Sequence, residues 1–196
     1  MTKPFKADVL VVKLSGKALT ADKALDALFA ALAGSAASAE RTRVVLVHGG
    51  GVEVDALMRG LGRRIDRIEG LRVSPAEDMP VISSVGMDAA GALWNINADD
   101  AAVASAALLG APLIFLSDVP GVLDANKHLF EQLNEEQAET LIAEGVISGG
   151  MTVKVRAAFR AAAMTGKPVA AASVFDPMLP NKLASGQLPG TTFTLE

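Results

Sequence analysis

Several short stretches of the chain bring together residue types that could bind and transfer a charged group. Lys13 lies near the end of the apolar run "DVLVVKL", two residues before Ser15 and three before Gly16. A lysine among valines is costly to bury without a partner. At a strand end it either snorkels to water or aims its ammonium at an anion near Gly16. In "LVHGGGVEV", Gly49, Gly50 and Gly51 separate an apolar run from a helical pattern. Every glycine there raises the entropy cost of folding. A tight turn uses part of such a run, whereas a cradle of backbone N–H groups for a phosphate uses all of it. "NINADD" sets Asn95, Asn97, Asp99 and Asp100 together, more polar groups than a helix cap needs. An acid such as Asp99 could hold two lysines in place. "SDVPGVLD", Ser117 to Asp124, makes a turn after an apolar run. In "GGMTVKV", Gly149 and Gly150 precede a helical pattern that carries Lys154, on its own an ordinary surface lysine.

Other chemistries are poorly supplied. The chain has no cysteine, so disulfides, thiolate metal sites and cysteine nucleophiles are excluded. Its two histidines, His48 and His128, lack a metal-ligand spacing. Ser83 and Ser84 have no nucleophile-elbow context. A dinucleotide fingerprint would need glycine where Val54 stands, and a P-loop fails at Val11 and Ala18. The net charge of -4 favours neither nucleic acid nor an anionic membrane surface. No run approaches the ~20 apolar residues of a membrane span, and no targeting segment is recognised. These features predict a soluble, cytoplasmic protein.

The elements that must position these groups follow from periodicity. "DVLVVKL" (8–14) and "RVVLVH" (43–48) read as strands buried on both faces. Residues 20–33 form a helical pattern, with Thr20 or Asp22 as cap and Gly34 beyond its end, and 52–61 form another. "MPVISSVG" (79–86) and "APLIFLSD" (111–118) read as further buried strands, with a short strand within "DAAGALWNI". Asn97 caps a helix to Leu109, and 135–144 and 151–165 are helical, the latter ended by Gly166. "KPVAAAS" is another strand and "GTTFTL" an edge strand. The pattern predicts a three-layer α/β/α sandwich on a mainly parallel sheet, one domain over 1–196, with ligands past the carboxyl ends of the strands.

Taken in order, "VVKLSG", "VLVHGGGVEVDALMRGLG", "EGLRVSPAEDM", "WNINADDAA", "LIFLSDVPGVLD", "LIAEGVISGGMTVKV" and "KPVAAAS" resemble the amino acid kinase family over nearly the whole chain. "HGGG", "GLRVSP" and "NINAD" resemble its acetylglutamate branch. The resemblance implies transfer of the ATP γ-phosphoryl group to the side-chain carboxylate of N-acetyl-L-glutamate, a step of arginine biosynthesis. It implies that Lys13 and Lys154 stabilise the transferring group and that Asp99 orients them. Gly50 and Gly51 would face the reacting carboxylate and phosphate, and Arg72 and Asn95 would bind the acceptor. Gly16, Asp118, Val119, Pro120, Gly121, Val122 and Leu123, with Val146, Ile147 and Ser148, would hold the nucleotide. Mg²⁺ would bridge the phosphates without dedicated protein ligands, and the family forms homodimers.

The sequence departs from that family in three places. "KLSG" carries Ser15, as uridylate kinases do, which suggests a different acceptor. No helix precedes the first strand, so feedback inhibition by arginine of the hexameric type is not expected. "SPAEDM" runs straight into "PVISSVG", without a segment of roughly 60 residues, about two crossover units, near 79–80. A natural short variant, an engineered deletion and an incomplete sequence all fit that gap, and one consequence would be a nucleotide-binding but inactive form.

Overall fold

A computed structural model describes residues 7–16, 23–28, 43–48, 66–68, 71–73, 80–87, 91 and 93–195. The strands, in chain order, are β1 (Val9–Leu14), β2 (Arg43–His48), β3 (Asp66–Ile68), β4 (Leu71–Val73), β5 (Val81–Ser83), β6 (Val85–Met87), β7 (Leu93–Asn95), β8 (Leu113–Ser117), β9 (Gln132–Asn134), β10 (Val169–Ser173) and β11 (Thr191–Thr194). The helical stretches are α1 (residues 23–28), α2 (Ala98–Leu109), α3 (Glu135–Ala143), α4 (Gly150–Thr165) and α5 (Leu179–Ala184).

Seven strands form one sheet in the order β5-β2-β1-β8-β10-β11-β9, parallel throughout except that β11 runs antiparallel to β10. Because side chains alternate along a strand, β1 feeds both faces. Val11 joins Phe115, Val169, Val103 and Phe159 under α2 and α4. Leu10, Val12 and Leu14 join Leu25, Leu28, Leu179 and Leu183 under α1 and α5. Burying a large aliphatic or phenyl side chain contributes roughly 1.5–3 kcal/mol, so two such layers account for a sheet clad on both sides. The three-layer α/β/α arrangement with a mainly parallel sheet is thus observed.

The caps obey the local chemistry. The Asn97 side chain accepts from Asp99 N at 2.8 Å, and Asp99 and Asp100 occupy the first turn of α2, where the helix dipole favours negative charge. Gly110 and Gly166 end α2 and α4 in the left-handed region. The 20–33 helix is described only over 23–28; its caps, the 52–61 helix, the triple glycine and Met79 lie outside the described residues.

Two expectations need correction. The 79–86 run is not one strand. Ser84 N donates to His48 O, and Ser84 O accepts from Ile96 N, so the chain turns at Ser84 from β5 in the main sheet to β6 in a separate hairpin with β7. Nor is β11 an edge strand: it lies between β10 and β9, and Thr191 and Phe193 are buried. Its alternation of apolar and polar residues resembles a half-exposed edge only because a threonine takes one of the buried positions.

Candidate functional site

Strand parity decides where Lys13 points. It shares the face of Val11, two residues earlier, and so turns toward α2 and α4. Its Nζ lies 2.5 Å from Asp99 Oδ1 in the first turn of α2, with both side chains largely buried. Apart from this close ion pair, Asp99 Oδ1 has no hydrogen-bond partner among the described residues. The pair offsets the cost of desolvating a lysine near the strand end; removing one partner would leave the other buried and unpaired.

Lys154 joins the pair from the second turn of α4. Burial, and then repulsion from Lys13, pull its ammonium below the usual lysine range, while Asp99 and Asp118 act in the opposite direction. Two cations and two carboxylates therefore share one field. Burial is the largest cause, so the carboxylates do not fully compensate the cost of holding Lys154 charged. A phosphate brought to this point would stabilise both ammoniums in an environment of reduced solvent.

The remaining candidates surround this cluster unevenly. Gly16 sits in the turn after β1, with no described atom within 4 Å of where a Cβ would stand. Asp118 follows β8 and is exposed. Val119 and Leu123 are half-buried, Pro120 is exposed, and Gly121 and Val122 are buried. The segment then closes as a small hairpin through the Leu123–Leu129 bridge. Asp124 supports its turn by accepting from Asn126 N and His128 N, each at 2.8 Å. Its carboxyl sits below the usual range chiefly through the His128 N–H. Of the second segment, Ile147 is buried in the core beneath α2 and α4, leaving Val146 half-buried and Ser148 exposed just before Gly149.

Arg72 lies in β4, paired with Arg67 of β3, and Asn95 ends β7, paired with Val85. Their side chains, like Gly50 and Gly51, lie outside what is described. The structure therefore brings Lys13, Asp99 and Lys154 together, and adds Asp118 as a charge acting on Lys154. Sequence reasoning placed Asp118 only in a nucleotide segment; its position straight after a buried strand was the available signal. Gly190 and Thr191, which touch the 120–122 backbone, were missed.

A mostly parallel sheet covered on both faces, with cations and glycine-rich turns at its carboxyl ends, defines an α/β protein of the class in which ligands generally sit past the strand ends. Comparison with known proteins makes this specific. Residues 63–170 match the model of the amino acid kinase family. Acetylglutamate kinase of Aeromonas salmonicida is 36% identical over 255 aligned positions, covering 95% of this chain and 98% of that protein. Acetylglutamate kinase of Vibrio cholerae is 35% identical over 257, covering 96% and 98%. Among solved structures, N-acetylglutamate synthase from Neisseria gonorrhoeae complexed with coenzyme A and N-acetyl-glutamate superposes with a TM-score of 0.71 at 19% identity, over 96% of this chain and 60% of that one. The chain belongs to the amino acid kinase family. An alignment of 255 positions on a chain of 196 residues leaves at least 59 of them (255 less 196) unfilled here, so the chain is shorter internally than these relatives.

Proposed function

We propose that this chain is an ATP-dependent kinase that phosphorylates the side-chain carboxylate of N-acetyl-L-glutamate, in arginine biosynthesis. The observation that carries the reading is the Lys13–Asp99–Lys154 cluster at the carboxyl end of β1. The acetylglutamate kinases matched over nearly the whole chain supply the acceptor. In the reaction a carboxylate oxygen attacks the γ-phosphorus. The bond to the β,γ-bridging oxygen breaks, and ADP leaves with the electron pair. The product is an acyl phosphate. Negative charge spreads over the transferring group, and two ammoniums fixed by one carboxylate answer it without reorganising.

Mg²⁺ arriving on the nucleotide would neutralise phosphate charge. The carboxylates of Asp118 and Asp99 suit a hard cation held mostly by phosphate oxygens, with Asp99 already engaged by Lys13. In this reading Gly16, the 118–123 segment, and Val146, Ile147 and Ser148 hold the nucleotide. Gly50, Gly51, Arg72 and Asn95 hold the acceptor. A guanidinium at Arg72 suits a carboxylate bidentately. ATP supply fits a cytoplasmic location. In this reading the missing positions fall near 79–80, before edge strand β5, where loss of a segment would leave the central strands paired.

The test is calorimetric titration of the 196-residue chain with MgATP and then with N-acetyl-L-glutamate. Binding of both, with ADP formed on mixing, is the expected result. Binding of nucleotide alone would favour a second reading, a shortened form without its acceptor site, for which the unfilled alignment positions are the specific observation. Turnover with uridylate in place of N-acetyl-L-glutamate would reassign the acceptor. Arg72→Ala is expected to raise the acceptor KM with the KM for ATP unchanged.

A further inference from the structure

The antiparallel pair of β10 and β11 holds the Asp118–Val122 segment at both ends. At its entry, Ser117 pairs with Ser173, and Ser117 O accepts from Val174 N at 2.9 Å. At its exit, Val122 N donates to Thr191 Oγ1 at 2.9 Å, while Val122 O accepts from Phe130 N at 2.9 Å. Thr191 is wholly buried, and Phe193, two residues on and on the same face, packs edge-to-face on Phe159 of α4 at 5.3 Å. β11 is therefore fixed to the helix that carries Lys154.

Two glycines let these backbones touch. A Cβ on Gly190 would lie 2.0 Å from Ala171 O and 2.6 Å from Pro120 O. A Cβ on Gly121 would lie 2.5 Å from Thr191 Oγ1 and 2.8 Å from Leu129 Cδ1. Both have positive φ, 67° and 149°. The 120–121 and 190–191 backbones thus lie in close contact, and the threonine hydroxyl joins them through the Val122 N–H.

We propose that Thr191, seated by Gly190 and Gly121, is a positioning residue for nucleotide binding: its hydroxyl fixes the course of the Asp118–Val122 backbone and so sets Asp118 relative to Lys154. Thr191 touches no reacting atom; it acts through the Val122 N–H. The inference rests on the nucleotide role proposed above for residues 118–123. Pre-organising that segment removes an ordering cost that binding would otherwise bear.

The experiment compares the wild-type chain with Thr191→Val, which keeps the shape and loses the acceptor, and Thr191→Ser, which keeps the acceptor. Leaving a buried N–H without its acceptor is expected to raise the Kd for MgATP about 5- to 20-fold in Thr191→Val. The acceptor KM should stay within about twofold, and Thr191→Ser should bind MgATP within about twofold of wild type. A merely structural role would lower thermal stability and leave that split absent. A folded Thr191→Val with the wild-type Kd for MgATP overturns the proposal alone. A wild-type chain that binds no MgATP overturns both the proposal and the functional reading. Should the valine variant not fold, Thr191→Cys, a weaker acceptor of near-equal size, is read in the same titration; a rise in Kd supports the proposal and an unchanged Kd overturns it.

Discussion

Two pairs of glycines flank the charged cluster, and their surroundings are opposite. Gly121 and Gly190 are pressed against the chain's own backbone, so a Cβ at either would overlap atoms already there. Gly149 and Gly150, at the start of α4, have no described atom within 4 Å of where a Cβ would stand. Gly149 also caps α4 without any side-chain hydrogen bond. The first pair serves the protein's interior. Around the second pair the described chain leaves open space at a helix start, where amide N–H groups face outward and favour an anion. The same residue type thus marks a contact already made in one place and room left open in the other.

The contrast is most severely tested by Gly190→Ala. Overlap with two carbonyl oxygens should cost more than about 4 kcal/mol, read as loss of folded protein in a thermal melt. A variant with the wild-type Tm would break the comparison. Next in size is the effect of the lysines on turnover. Lys154→Ala should lower kcat about 10²- to 10³-fold, as expected for one preorganised charge lost from the transition state, with the Kd for MgATP changed far less. Lys13→Ala should match that loss and also cost about 3 kcal/mol of stability, because Asp99 stays buried without its partner. Lys154→Ala, relieved of a desolvated cation, should not be destabilised, so a urea melt separates the two lysines.

A smaller effect comes with pH. Burial holds the folded-state pKa of Lys154 below the ordinary lysine value of 10.5. The unfolded chain therefore keeps its proton to higher pH than the folded one. Stability from this group should rise as pH climbs through the folded pKa toward 10.5. Activity, which needs the ammonium, should fall over the same interval. Lys154→Arg should abolish the alkaline limb of the kcat profile, and an unchanged limb would assign it to another group. Smallest of all, Gly150→Ala should leave the Tm within about 2 °C, as a substitution into open space on a helix that tolerates alanine, in direct contrast to Gly190→Ala.

Strands β1, β2, β8 and β10 were legible because apolar runs buried on both faces leave few alternatives, and α2 and α4 because their periods and terminal signals agree. The three-residue strands β3, β4, β6 and β9 were not, since so few residues establish no period. α5 did carry a start signal, Pro180 in its first turn. Within the site, the pairing of Lys13 with Asp99 was readable from a lysine among valines and a surplus of acids at a cap. Thr191 was not readable: a buried threonine looks like a surface one until the amide it receives is located.

Sixty-nine residues separate Val122 from the threonine that holds it. On a ribosome adding about 5–20 residues per second, the 118–123 turn is made roughly 3–14 seconds before its brace exists. Until β11 pairs with β10, the main sheet ends at β10 and β9 lacks the strand it pairs with, and the Val122 N–H lacks its Thr191 acceptor. If the brace acts as proposed, a firm hold on nucleotide waits until residue 191 has been added, and a chain stalled before it would carry Lys13 and Lys154 beside an unbraced 118–123 turn.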